Sequence, residues 1–176
     1  FSFGVAGDIG GDVSAAVTAS AEAQEASGNQ AVASSQAWGI DGDISGSIHA
    51  DITANAMGGT STGATSSAIS DASAYGIDGS VSNDVTGSVT ATAQGGSAFA
   101  GGAQAASADA DAIGINGEVG GEISGQIHVT ATGGTAINTG TGGESADATV
   151  TGIESFGVPV SQMTIAGGGI TAYEMA

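Results

Sequence analysis

The sequence repeats itself. The stretch GIDGSVSNDVTGSVTATAQGG at residues 76–96 has near-copies at 39–59 (GIDGDISGSIHADITANAMGG) and 114–134 (GINGEVGGEISGQIHVTATGG). A looser copy, GVAGDIGGDVSAAVTASAEAQ, occupies 4–24, and a broken one begins at Gly152. The opening glycines Gly4, Gly39, Gly76, Gly114 and Gly152 stand 35, 37, 38 and 38 residues apart. A period of this length means that one supersecondary unit is reused and buries its apolar side against its neighbours. The chain divides on this basis into four units, 1–37, 38–74, 75–112 and 113–150, followed by a divergent half-unit at 151–176. That last piece reads as a cap or a subunit-junction segment.

Within a unit, apolar and polar residues alternate. The first half carries the aliphatic anchors Ile9, Val13 and Val17, then Ile44, Ile48 and Ile52, then Val81, Val85 and Val89, then Val119, Ile123 and Ile127. Small residues fill the same side between them (Gly46, Ala50 and Asn83 among others), and Asp, Ser, Thr and His face the other way. Period two is the mark of a half-buried strand, and a one-residue slip would turn every anchor outward. The second half repeats small residues in columns: Ala37, Ala74, Ala112 and Val150; Ser35, Ala72, Ala110 and Ala148; Ala33, Ser70, Ala108 and Ala146. Asp71, Asp109 and Asp147 alternate with them. This predicts a second strand with an alanine inner face. Alanine is also the best helix former, so Ser97–Ala112 has a helical reading on propensity, opposed by its Gly, Ser and Thr content.

Gly-Gly doublets (58–59, 95–96, 133–134) and the GI-D/N-G segments separate the strands. The expected fold is all-β: a flattened β-solenoid of about four and a half repeats with two long strands per repeat, like residues stacking at ~4.8 Å. The alternative is an antiparallel β meander or sandwich, with each doublet a two-residue hairpin turn.

Large side chains are scarce: the 176 residues include 33 glycines and seven aromatics. Packing must therefore come from alanine, from a long backbone ladder, and from partner chains. The chain has 18 Asp and Glu and no Lys or Arg. With no side chain to neutralise phosphate, nucleic acid and anionic membrane surfaces are poor partners. The same absence removes every trypsin site, which suits a secreted protein at the extracellular cell surface. The start at Phe1 fits a mature chain from which a secretion signal has been removed. No cysteine is available for a disulfide or thiolate site, and no apolar run approaches the ~20 residues of a membrane-spanning helix.

The GIDG turns, the V-x-x-x-V-x-x-x-V spacing and the ADA and ATA tails resemble the Gly/Ala-rich β-solenoid repeats of bacterial cell-surface adhesins. More loosely, they resemble subunits of curli-type fibres. The resemblance covers residues 1–150 and implies a secreted, self-associating surface protein.

Candidate sites follow from the columns. Asp8, Asp43 and Glu118 share one, Asp12, Asp84 and Glu122 another, and Asp41 and Asp78 occupy the GIDG turns. Like charges so stacked repel, and Ca²⁺ held weakly by these oxygens would relieve them, as would protonation. The competing reading is solvated carboxylates, since the calcium-binding nonapeptide of parallel β-rolls is absent. Calcium or mild acid is then expected to strengthen assembly. No other cofactor is indicated.

His49 and His128 fall on the outer face without a nucleophile, orienting partner or oxyanion donor, and read as solvated side chains. An enzyme is not expected. Phe3, Trp38, Tyr75 and Ile113 precede successive glycines and form a column placed at a coil corner. Thr90/Thr92 and Thr130/Thr132 suggest a flat ice-binding face as a minor reading, interrupted by Ser20 and Asn55.

The expectation that gathers these features is a structural subunit of a self-assembling extracellular filament. It would polymerise head to tail with copies of itself by strand-edge pairing and continuous aliphatic columns. Phe1, Phe3, Val158, Pro159, Val160, Ile165, Ile170 and Tyr173 would form the junction. The alternative is a non-polymerising adhesin or autotransporter passenger presenting a Ser/Thr/Asp surface to a carbohydrate or cell-surface ligand.

Overall fold

A computed structural model describes residues 1–153 and the backbone of 170–175. The chain winds as a parallel β-solenoid whose turns correspond to the sequence repeats. The first turn contains β1 (Ser2–Ala6), β2 (Val17–Glu22), β3 (Ala26–Gly28) and β4 (Ala31–Val32). The second contains β5 (Ser35–Asp41), β6 (Ile52–Met57), β7 (Thr60–Gly63) and β8 (Ala68–Ile69). The third contains β9 (Ala72–Asp78), β10 (Val89–Gln94), β11 (Ser97–Ala100) and β12 (Ala106–Ser107). The fourth contains β13 (Ala110–Asn116), β14 (Ile127–Thr132), β15 (Thr135–Asn138) and β16 (Glu144–Ser145). Then come β17 (Ala148–Ile153) and β18 (Ile170–Met175).

Like strands stack into four sheets, β1-β5-β9-β13-β17, β2-β6-β10-β14-β18, β3-β7-β11-β15 and β4-β8-β12-β16. Every strand pairing is parallel, which removes the meander, and Ser97–Ala112 is strand where it is regular at all.

The two long strands expected per repeat are divided. Between β1 and β2, and at the same place in later turns, the chain bends every four residues. There it meets its neighbour only at single bridges, Ile9↔Ile44↔Val81↔Val119 and Val13↔Ile48↔Val85↔Ile123. Each bend drops one aliphatic side chain inward, and the residues between are exposed or half-buried apart from the buried glycines Gly46, Gly87 and Gly125. Asn83, expected on the inner face between Val81 and Val85, is exposed and donates its side-chain amide to the Ser45 carbonyl at 3.2 Å. The four-residue step also extends one position earlier than the expected anchors. Ile40, Ile77 and Ile115 are fully buried and form a further core column, with partly buried Val5 at its head and Ile153 at its foot.

The cross-section has two lobes. The larger holds the buried Ile and Val columns, with Ala37, Ala54, Ala74, Ala91 and Ala112, between the β1 and β2 sheets. The smaller, between the β3 and β4 sheets, is packed by Ala68, Ala98, Ala100, Ala106 and Ala108. The Gly-Gly doublets form the waist between lobes, not hairpin turns. There the two limbs of the coil hydrogen-bond: Gly59 N–H to Ala33 C=O at 3.0 Å, Gly96 to Ser70 at 2.9 Å, Gly134 to Ala108 at 2.7 Å. A Cβ on Gly96 would overlap the Gly59 carbonyl oxygen and the Ser70 hydroxyl. One corner of each turn likewise requires glycine: Gly42 and Gly79 have φ of 149° and 151°, a region L side chains avoid.

Gly96→Ala should cost about 1–3 kcal/mol through overpacking, whereas Gly10→Ala, whose Cβ meets nothing within 4 Å, should stay within about 0.5 kcal/mol of the parent. Urea unfolding of both variants checks this. The buried hydroxyls of Ser35 and Ser61 have no hydrogen-bond partner, and their columns carry alanine in later turns (Ala72, Ala110; Ala98, Ala136). Ser35→Ala and Ser61→Ala should each raise stability by about 1 kcal/mol in the same assay.

Candidate functional site

Bends interrupt the backbone ladder, and side-chain oxygens replace it there. At a strand, each N–H finds a carbonyl on the neighbouring turn. At the bends, backbone bonds persist only around the anchors, as from Ile9 N–H to the Asp43 carbonyl at 2.8 Å, and other amides are received by an Asp on the turn before. Asp43 N–H donates to Asp8 Oδ1 at 3.0 Å, and Ser80 N–H to Asp43 Oδ1 at 2.8 Å. Ser47 N–H donates to Asp12 Oδ1 at 2.8 Å, Glu122 to Asp84 at 2.8 Å, and Ser88 to Asp51 at 3.0 Å. Of the carboxylates named as weak calcium ligands, Asp8, Asp12, Asp43 and Asp84 are thus acceptors for backbone donors. Among the described residues no three Asp, Glu, His or Cys side chains converge to hold a metal ion. Asp78, at the end of β9, accepts from Trp38 Nε1 at 3.2 Å and Asn116 Nδ2 at 2.8 Å.

The densest acidic column is one the sequence reading left without a role. Ser34, Asp71, Asp109 and Asp147 stack just before the β5, β9, β13 and β17 strands. Asp71 N–H lies 3.4 Å from Ser34 Oγ, Asp109 N–H donates to Asp71 Oδ1 at 3.1 Å, and Asp147 N–H donates to Asp109 Oδ1 at 2.8 Å. Serines bridge successive carboxylates. The Ser107 hydroxyl is 2.9 Å from Asp71 and 2.8 Å from Asp109; that of Ser145 is 2.8 Å from Asp109 and 3.0 Å from Asp147. The readable signal was Ser-Ala-Asp, at 107–109 and again at 145–147. Beside this column runs an open groove of ≈ 350 Å³, lined by Asp71, Ser73, Asp109, Asp111, Asp147 and Thr149 together with alanines.

Partial burial pushes the Asp109 carboxyl upward, but the Asp147 amide and the Ser107 and Ser145 hydroxyls outweigh it and hold the group below the ordinary aspartate value. A depressed carboxyl stabilises the fold above its unfolded value, about 3.9, and loses that contribution as pH falls through its folded value. Asp109→Ala should therefore cost about 1 kcal/mol at pH 7, and Asp109→Asn, which keeps an Oδ1 acceptor, less. The gap between parent and Asp109→Ala, read by urea unfolding across pH, should close only below about pH 4.

The aromatic column is in place but not at a corner. Phe3, Trp38, Tyr75 and Ile113 lie in mid-strand in the β1-β5-β9-β13 sheet, in register. The corner falls at Gly42, four residues beyond Trp38. The rings stack nearly parallel, with centroids 4.6 Å apart for Phe3–Trp38 and 5.7 Å for Trp38–Tyr75, and Phe1 stands 6.0 Å from Trp38. His49 Nδ1 lies 3.0 Å from Thr86 Oγ1, and exposed His128 shares its column with Thr90. On the outer face of the β2 sheet, Ser20 and Asn55 precede Thr92 and Thr130 in one column, so the threonine array is interrupted.

The first-turn end of the solenoid is open among the described residues: β1, β2, β3 and β4 pair on one side only. Val5, Ile9 and Val17 are partly buried there, while Ile40, Ile44 and Ile52, one turn in, are 0 % exposed. Phe1 is 88 % exposed. Of the other expected junction residues, Val158, Pro159, Val160 and Ile165 lie outside the described residues. The backbones of Ile170 and Tyr173 pair with Ile127 and Thr130.

No described helix is long and apolar enough to cross a membrane. Comparison with protein-family models, curated proteins and solved structures returns no match.

Proposed function

We propose that this chain is a structural subunit of a secreted, self-assembling extracellular filament, its copies joined head to tail through their open strand edges. The observation that carries the reading is the incomplete burial of Val5, Ile9 and Val17 at an end where, among the described residues, the four sheets stop at edges paired on one side only. An unprotected edge is a template for further pairing, and soluble monomers ordinarily blunt it with charge, proline or a covering segment. Here the residues that would meet a second copy continue the columns that already hold the turns together. The lack of Lys and Arg and the likeness to surface-adhesin repeats support the extracellular placement. The second reading, a monomeric adhesin passenger, is favoured by the polar groove along Asp71, Asp109 and Asp147. It differs in needing no contact between copies.

The purified chain should grow unbranched filaments in electron micrographs above a threshold concentration. Added NaCl should speed growth by screening the repulsion between copies of charge −18. Val17→Glu, at the open end, should abolish growth while leaving the β-type circular dichroism intact. Val85→Lys should abolish it by breaking the core itself, since Val85 is 0 % exposed. A parent protein that stays monomeric in sedimentation at every concentration and salt would leave the passenger reading in its place.

A further inference from the structure

The carboxylates are not spread evenly round the coil. Residues 52–63, 89–100 and 127–138 contain no Asp or Glu, and His128 is their only ionisable side chain. Each of these segments holds one strand of the second sheet, a Gly-Gly doublet and one strand of the third: β6 and β7, β10 and β11, β14 and β15. Stacked, they make one limb of the coil in three successive turns. Only the first turn carries carboxylates in the matching stretch, Glu22 and Glu25. Around it the surface is acidic, with Asp12, Asp43 and Asp84 at the bends and Asp71, Asp109 and Asp147 on the opposite limb.

The uncharged limb is also where large apolar side chains reach solvent. Met57 is 47 % exposed, Phe99 38 % and Ile137 41 %, half of the exposed large apolar side chains among the described residues. Phe99 and Ile137 follow Ser27 and Thr62 in one column of the third sheet. Two grooves mark the same surface. One, ≈ 270 Å³, joins the two sheets at the waist and is lined by the glycine doublets with Met57, Gln94, Ser97 and Thr135. The other, ≈ 220 Å³, runs beside Phe99 and Ile137 over Gly63, Ala100 and Gly101. Exposed apolar side chains gathered on one face, rimmed by polar ones, mark an interaction surface.

Charge decides the occupant. A copy of this chain carries −18 with no Lys or Arg, so it meets like charge on any approach to the bends or to the aspartate-lined limb. A cationic partner would settle on those acidic surfaces instead. The uncharged limb is the approach on which these three turns set no carboxylate against another.

We propose that this limb is a contact between copies of the chain, set side by side with their second and third sheets face to face. The contact is lateral, so it goes beyond the head-to-tail filament and does not require it. A surface that meets itself is isologous and closes as a pair. Three strands' width of ~4.8 Å each and a length of about 40 Å offer on the order of 600 Å² per copy, short of the ~800 Å² of a standard stable interface. An isolated pair is therefore weak. Along a filament the same contact recurs in every copy and holds neighbouring filaments together.

The test isolates the lateral contact in the full chain carrying Val17→Glu, the change that stops growth at the open end. Sedimentation equilibrium should show monomers in equilibrium with dimers. In that background Gln94→Glu adds a carboxylate to the uncharged limb with little change of shape and should raise the dissociation constant about tenfold. Phe99→Ser, in a column that already holds Ser27, should do the same. Gln36→Glu, the same change on the opposite limb, should leave the constant unaltered.

A second measurement uses the unsubstituted chain. Met57 lies in the second turn, where β6 is paired on both sides, so an end-to-end contact leaves it uncovered. Hydrogen peroxide should oxidise it about fivefold more slowly above the dissociation constant than well below it. A Met57 rate independent of concentration, or dimers indifferent to both Gln94→Glu and Phe99→Ser, overturns the lateral contact; single filaments in micrographs would still stand. A monomer that binds a soluble neutral polysaccharide and loses it on Phe99→Ser assigns the limb to a glycan and overturns the contact as well. Pairs with no longer assembly overturn the filament and keep the contact.

Discussion

A coil of parallel strands is stable only if each turn offers acceptors where the next turn has amides. In straight segments this is automatic, because identical backbones stacked in register exchange N–H and C=O without help from side chains. At a bend it fails, since some amides point along the stack at places where no carbonyl does. A buried or half-buried amide without a partner costs on the order of 1–3 kcal/mol, and four turns with several bends each multiply that cost. This chain answers with aspartate. Asp8, Asp12, Asp43, Asp51 and Asp84 each stand one turn before the amide they receive, at 2.8–3.0 Å. The acidic composition is thus part of how the coil turns its corners.

The columns were legible in the sequence because a stack writes the same chemistry at the same place in every repeat. Ile9, Ile44, Val81 and Val119 meet as the alignment of copies implied, as do Val13, Ile48, Val85 and Ile123. What lay between those anchors was not legible. A run such as Ile44-x-x-x-Ile48-x-x-x-Ile52 fits a straight strand with small residues on its inner face. It also fits a chain that bends every four residues. Both put the anchors inside; only the intervening residues differ, and Gly46 or Ala50 suits either. Asn83 was the discriminating residue, because a buried amide there would lack partners whereas an exposed one reaches the Ser45 carbonyl. The Ile40, Ile77 and Ile115 column was passed over because it sits inside the GI-D/N-G segment, which reads as a break. The chain is strand there until the glycine at positive φ.

The doublets were ambiguous in the sequence for a related reason. Gly-Gly is compatible with a hairpin on local geometry, and sequence does not say whether the next strand returns beside its predecessor or a full turn later. The structure uses the missing side chains for proximity. Gly59, Gly96 and Gly134 bring the two limbs of the coil within hydrogen-bonding distance across the waist. Beyond it, a thin lobe packed by alanine and other small residues stays closed. Large and small lobes on one coil let a chain with few large side chains bury its Ile and Val anchors in one place.

Charge is then the remaining question, since 18 carboxylates face no cationic side chain. Two unit charges about 5 Å apart repel by roughly 1 kcal/mol in water and about 3 kcal/mol at an effective dielectric of 20, so unbroken acidic columns would be costly. Most columns here are broken. Ser80 follows Asp8 and Asp43, Ser47 separates Asp12 from Asp84, and Ser88 follows Asp51. The Asp71–Asp109–Asp147 column runs three turns without a break, and it is bridged by the Ser107 and Ser145 hydroxyls in addition to backbone amides. Asp109, in the middle, is flanked by a carboxylate on each side and should be the hardest to ionise; its carboxyl is nevertheless held below the ordinary value. Oriented neutral donors thus outweigh the partial burial of that central group, which is why a chain without a single Lys or Arg can stack aspartate on aspartate.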